Sequence, residues 1–481
     1  MQCITLTIIN HKINPSTIMI WGRGKTIINN QKHQSNQNPL LSAPIPPLLR
    51  KIAIPVGTGA FFNTMFNVVD TYYGGLISNE ALAALSLSFP IYFIIIALGF
   101  GLSSGNTALI GNVLGQGDEE RAELYAVQGI LYGIVLALLT SVAVIAIAPA
   151  LYRTLGASGS YLEMGLSYIN PIFYGTVFFV LQMMLNSPLN ARGITTPFRN
   201  VLVAGFVLNL VLDPWFIFGG FGLPAMGITG IAIATVLVKI LGCIYLAVYN
   251  VKVGTLSLQS FQTYSVPRLQ AIRDISIQGF PNILDMSSVS IGFFILTYFV
   301  SGFGQEAVAA FGAASRIEQL AMLPLLGLEV ATLSLIAQNN GAGLAARTHN
   351  IFNTAMHYGI IVMVIGATLI TVLAPYLMGL FSETANVVTI GTTYIRIKAW
   401  ALLPTAGVFI GFAAMRGVKR PIDALILSTM RMVILPLIFV YLFVTVMGFG
   451  LLSIWWVTFG AVTAVGIVAY FHAKQLLPTV N

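Results

Sequence analysis

Charge is what this sequence has least of. Only 8% of its 481 residues are charged, whereas 57% are hydrophobic. A water-soluble domain carries roughly 25% charged residues, so a soluble fold is excluded. A mean hydropathy of +0.87 points instead to a chain that lives in a bilayer. Cysteine is nearly absent: Cys3 lies in a polar tail and Cys243 in an apolar run, which leaves no disulfide framework. HExxH, GxSxG, paired CxxC and aspartate-rich prenyl-binding patterns are all missing, which weighs against an enzyme, membrane-embedded ones included. Nucleic acid is an unsuitable partner, because no basic patch falls on a soluble surface beyond the tail.

Acidic residues are also missing from positions 1–44, which are rich in Asn, Gln and Ile. Gly24-Lys25-Thr26 imitates the end of a phosphate loop, but Met19 stands where its first glycine is needed. Asn10, His11, Lys12 and Asn14 break any signal-peptide core. The expectation for 1–44 is a polar, disordered cytoplasmic tail.

What is present is length of apolar run. Twelve segments are long enough to span a bilayer: near 50–73, 82–108, 122–150, 162–187, 199–219 and 226–249, then 274–300, 307–338, 350–379, 388–413, 420–446 and 450–473. Helices are the expected spanning elements, because their backbone bonds close within the segment. Alternate loops hold nearly all the obvious basic loop residues: Arg50, Lys51, Arg121, Arg192, Arg199, Lys252, Arg268, Arg273, Arg347, Arg416, Lys419, Arg420 and Lys474. The opposite side has Arg153 alone among clear loop positions. By the positive-inside rule both termini are cytoplasmic.

The chain repeats itself. NEALAAL at 79–85 recurs as QEAVAAF at 305–311, an offset of 226. The same offset relates Pro55 to Pro281, Gly101-Leu102 to Gly327-Leu328, and LIGNVLGQG (109–117) to LIAQNNGAG (335–343). ARGITTP (191–197) matches MRGVKRP (415–421) at an offset of 224. Six spans is an even number, so the two halves are parallel repeats about an axis along the membrane normal. The expected organisation is a tail at 1–44, a lobe at 45–250, a cytoplasmic linker at 251–273 and a second lobe at 274–478. A cleft between such halves is a natural substrate path, and Pro55 and Pro281 are expected to have structural roles near the starts of their helices.

Within the apolar runs a few polar residues stand out. Asn63, Asn67 and Asp70 fall at i, i+4 and i+7 on one helix face of the first span. A carboxylate in hydrocarbon costs roughly 3 kcal/mol on insertion scales, so Asp70 should face a partner, an ion or water; the alternative is an interfacial position at the end of the span. In the fifth span Asn209 and Asp213 are i, i+4. Counting 1.5 Å per residue puts Asp213 roughly 21 Å from Arg199 and Asp70 roughly 30 Å from Arg50, both in the outer half. Two carboxylates with nearby amide oxygens suit a hard cation or a shared proton. Gln182 and Asn186 form another i, i+4 pair in the fourth span, and Thr235 offers a hydroxyl in the sixth. Interhelical hydrogen bonding suits Gln182 and Asn186 equally well, and Thr235 is better explained by a bond to its own backbone.

The second half carries Asp285 and Glu329 near mid-span, with Arg316 as a possible counter-charge to one of them. They are not the repeat-mates of Asp70 and Asp213, so the acids divide unequally between the lobes. Asp285 and Glu329 are expected to line the cavity and tune substrate range. Arg396 and Lys398, near the outer end of the tenth span, are expected to snorkel.

IPVGTGAFFNTMFNVVDTYYGG, ALAALSLSFPI, LGQGDEERA, NNGAG, ARGITTP, NLVLDPWFIFG and MGITGIAIAT, in that order, resemble the multidrug and toxic compound extrusion (MATE) transporters, and within them the prokaryotic DinF-like branch. The resemblance covers about 50–475. It implies an all-α polytopic membrane protein: twelve transmembrane helices in two parallel six-helix repeats, forming a V-shaped two-lobe transporter. It implies a monomer in the bacterial inner (plasma) membrane that exports drugs or toxic amphiphiles, often cationic, against H⁺ or Na⁺, with no other cofactor. The family's first-span aspartate falls on Asp70, its fifth-span pair on Asn209 and Asp213, and a fourth-span asparagine on Asn186. Phe66 departs from the pattern, since relatives often have tyrosine one turn before the acid. The alternative within the superfamily is a flippase for lipid-linked precursors, which would need several cavity-lining basic residues; Lys239 and Arg316 are the few deep candidates.

Overall fold

The computed structural model describes residues 38–154 and 156–479. Expectations for 1–37, including the Gly24-Lys25-Thr26 stretch, lie outside the described residues. A short helix α1 (Pro39–Ser42) precedes the first lobe: α2 (Ile45–Ile77), α3 (Asn79–Gly115), α4 (Glu119–Thr154), α5 (Gly159–Tyr174), α6 (Thr176–Ala191), α7 (Thr196–Phe218) and α8 (Ile228–Lys252). A connecting helix α9 (Leu258–Tyr264) leads to the second lobe. That lobe comprises α10 (Leu269–Ser301), α11 (Gln305–Gly341), α12 (Ala345–Gly379), α13 (Ala385–Gly417), α14 (Pro421–Val446) and α15 (Leu452–Leu476).

Eleven of these helices are long and apolar enough to cross a membrane. The twelfth span is α5 and α6 together, bent by 45°. The sequence suggests one continuous fourth span, but Gly175 interrupts it and Pro171 precedes the break. α14 contains two π-helical turns, Met430–Ile434 and Tyr441–Val446.

Three further expectations change. Residues 38–44 are not tail-like: Leu40 and Leu41 are buried, Asn38 caps α1, and Asn339 and Arg347 donate to the carbonyls of Leu40 and Ala43. Pro55 is not near a helix start, because α2 begins ten residues earlier; both Pro55 and Pro281 are buried inside their helices. The linker is shorter than 251–273, since α8 runs to Lys252 and α10 begins at Leu269; between them Tyr264 and Ser260 of α9 donate to Glu120 and Glu123 of α4.

The lobes meet along one seam, and the repeat dictates it. Gly101 on α3 lies against Ile283 on α10, while its repeat-mate Gly327 on α11 lies against Ala53 on α2. A Cβ on Gly115 would come within 2.0 Å of the Gln338 carbonyl, and one on Gly341 within 1.9 Å of the Asn112 carbonyl. Only glycine allows backbones so close, the small-residue packing that joins helices in lipid. Side chains then bridge the seam symmetrically. Asn112 Nδ2 donates to the Gly417 carbonyl at 2.8 Å, and Gln338 Nε2 to the Ala191 carbonyl at 2.6 Å. All the cross-lobe glycine contacts lie on the half of the molecule that carries the basic loops, so the seam is sealed at that end.

Candidate ion-coupling and substrate site

Asp70, Asn209 and Asp213 come together between α2 and α7, all buried. One amide nitrogen, Asn209 Nδ2, donates both to Asp70 Oδ1 and to Asp213 Oδ2, the latter at 2.8 Å. Oxygens sharing one donor at hydrogen-bond distance are within roughly 5–6 Å of each other, so the carboxylates face one another. The i, i+4 spacing of Asn209 and Asp213 puts both on the α7 face packed against α2. Asp213 Oδ1 and Asn209 Oδ1 are buried and have no hydrogen-bond donor. Acceptors stripped of water and lacking donors are costly unless a proton or cation satisfies them.

The other first-lobe candidates are arranged differently. Thr235 donates to the Ile231 carbonyl at 2.9 Å. Asn186 is buried with Oδ1 unpartnered and makes no hydrogen bond to the acid pair, and Gln182 packs against Gly242 of α8. Asn63 and Asn67 are exposed, and Asn67 donates to the Asn63 carbonyl rather than to Asp70.

Lys239 is a first-lobe residue that sequence reasoning left without a role there. Its ammonium sits 5.6 Å over the Phe66 ring and 5.4 Å over Phe179, within electrostatic reach of Asp70. The spacing signal was present, since Lys239 is i+4 from Thr235 on α8. Phe66 therefore supplies a cation–π face beside the acid rather than a hydroxyl.

In the second lobe Arg416 donates to both Asp285 and Glu329. All three are buried, which corrects three expectations: Arg416 is not a loop residue, Arg316 is not the counter-charge, and neither acid is a free cavity-lining group. Lys398 does not snorkel; it is buried 3.5 Å from Glu318, which also accepts from Tyr394 at 2.5 Å. Arg396 is exposed. A carboxylate at membrane depth needs a cation, and here long side chains on α13 reach across to α10 and α11 to supply it.

The profile described as MatE matches residues 55–215 and 281–442, one stretch in each lobe. The chain belongs to the MatE (MATE) family. It is 28% identical over 400 residues to a protein called FAD transporter from Shewanella oneidensis, covering 83% of this chain and 88% of that one. It is 24% identical over 392 residues to the multidrug export protein MepA of Staphylococcus saprophyticus, covering 81% and 85%. A MOP superfamily transporter from Pyrococcus furiosus, described as having a binding pocket of reversed polarity, superposes with a TM-score of 0.84 at 27% identity, covering 91% of this chain and 97% of that one. The outward-facing form of a multidrug resistance MATE transporter matches equally well, at a TM-score of 0.84 and 26% identity over the same shares. This MATE protein is thus a multi-pass membrane transporter of small molecules and not an enzyme.

Proposed function

We propose that this MATE protein is a secondary antiporter that exports amphiphilic drugs or toxic compounds against H⁺ or Na⁺, with Asp70 and Asp213 as the coupling pair. It would act as a monomer in a bacterial plasma membrane with both termini cytoplasmic. On that orientation the sealed end faces the cytoplasm, and the structure corresponds to an outward-open state.

The observation that carries the reading is the single Asn209 amide held by two buried carboxylates, with Asn209 Oδ1 and Asp213 Oδ1 left without donors. A proton or a desolvated Na⁺ entering from outside would neutralise the pair and satisfy those oxygens. Its arrival changes how α2 packs on α7, and α2 also forms one side of the seam. Ion and substrate then compete through the packing each favours, which is antiport by differential affinity. The test is efflux in proteoliposomes under imposed ΔpH or ΔNa⁺, for the wild type and for Asp70→Asn and Asp213→Asn. Both variants should bind dye yet lose gradient-driven efflux; unchanged coupling in both would overturn the proposal.

A further inference from the structure

Three basic side chains inside the second lobe have acids for partners or neighbours. Arg416 is held by Asp285 and Glu329, and Lys398 by Glu318. Arg431, in the first π-helical turn of α14, has those same three acids within electrostatic reach. Three bases thus stand against three acids inside the lobe. Arg316 belongs to no such set. It is exposed, and no salt bridge or hydrogen bond holds it among the described residues.

Its position on α11 follows from the seam. Gly57 approaches Leu323 and Pro324, and Ala53 approaches Gly327, so α2 and α11 run antiparallel there. Arg316 is seven residues from Leu323 and eleven from Gly327, both close to whole numbers of turns. It therefore continues the α2-facing row of α11. Extending the register outward by the same seven residues from Gly57 reaches Thr64, on the same row of α2. Arg316 and Thr64 thus face each other about 10 Å outward of the last close contact, with Asn67 flanking Thr64. Arginine stays charged at any relevant pH, and an unpaired charge at this depth must face water.

We propose that Arg316 is a substrate-binding residue that takes an anionic oxygen group, a carboxylate or phosphate, of an amphiphile entering the cleft between the lobes. This rests on the export reading above and narrows its substrates. The favoured cargo is then anionic or zwitterionic, whereas the family resemblance implies compounds that are often cationic. The guanidinium supplies paired donors for such a group, and Thr64 and Asn67 stand on the opposite wall. The three bases and three acids behind it balance one another without Arg316, so its charge is available to a ligand.

Binding measured by fluorescence polarisation on the purified, detergent-solubilised full chain tests this without any gradient. A failure of anion recognition is then distinguishable from a failure of coupled export. The probes are a rhodamine with a free carboxylate and its methyl ester, which share one fluorophore and differ in one charge. The wild type should prefer the free carboxylate, and Arg316→Gln should weaken that probe about tenfold while leaving the ester within about twofold, as expected for one lost charge-assisted hydrogen bond. Arg316→Lys should keep part of the preference, and Arg316→Glu should invert it. Equal loss of both probes in Arg316→Gln, or a wild type that favours the ester, would overturn the proposal. Size-exclusion profiles matching the wild type would establish that the variants are folded.

Discussion

Leu49 and Ile275 are repeat-mates, and each is fully buried in the core of the lobe opposite its own. Leu49 at the start of α2 packs with Leu325, Leu328 and Phe352 of the second lobe. Ile275 at the start of α10 packs with Leu102, Leu109 and Tyr125 of the first. The sealed end is thus two helix starts exchanged between lobes. Any opening there has to withdraw both from apolar surroundings, which biases the protein toward this closure.

Truncating either contact should weaken the seal. Leu49→Ala or Ile275→Ala removes fully buried methyl groups and should cost roughly 2–5 kcal/mol of the closed packing. Labelling of a single cysteine placed at Ala108, which packs with Leu333 and Ala413 across the seam, should become faster in both variants, by comparable factors. Unchanged labelling would show that the exchanged helix starts do not hold the lobes together.

The bridge between the acids is itself testable. Asn209→Leu leaves both carboxylates in place but deletes their shared donor. Buried hydrogen bonds to charged groups contribute roughly 1.5–3 kcal/mol, so the pair should separate or rehydrate and coupled efflux should fall at least tenfold. Substrate-induced proton release and Na⁺-driven efflux in liposomes report this directly.

Arg416 should matter for folding rather than for substrate range. Arg416→Met strands two buried carboxylates, which should cost roughly 3–5 kcal/mol and lower the melting temperature in detergent. Adding Asp285→Leu and Glu329→Leu to that variant should restore much of the stability, because the uncompensated charges are then gone. A triple variant less stable than Arg416→Met would contradict this account.

The N-terminal boundary separates two truncations. A chain starting at Asn38 retains α1 with its bonds to Asn339 and Arg347, and should transport like the full-length protein. A chain starting at Ile45 loses Leu40 from the seam, strands the Arg347 guanidinium and removes one of the two acceptors of Asn339, so its thermal stability should drop and its efflux slow. Equal behaviour of the two truncations in both assays would mean that α1 is dispensable.

The sequence by itself determined the bilayer as solvent, the apolar spans and the parallel repeat. It also singled out the first-lobe acids that the fold brings together, Asp70 and Asp213. Asn209 and Asp213 are i, i+4, and the lone Asp70 in an apolar run needs a partner, so local spacing and desolvation cost were enough. The tertiary structure decided everything that depends on which helix lies against which. Arg416 read as a loop base because it sits beside Lys419 and Arg420; only the packing of α13 on α10 and α11 takes it inside to Asp285 and Glu329. Lys398 turned inward to Glu318 for the same reason, and the exchange of Leu49 and Ile275 between cores has no signature in either helix alone. Helix periodicity is written in neighbours three and four residues apart. Pairing between helices in lipid rests instead on small-residue fit and on charges meeting across long sequence separations, which only the folded chain brings together.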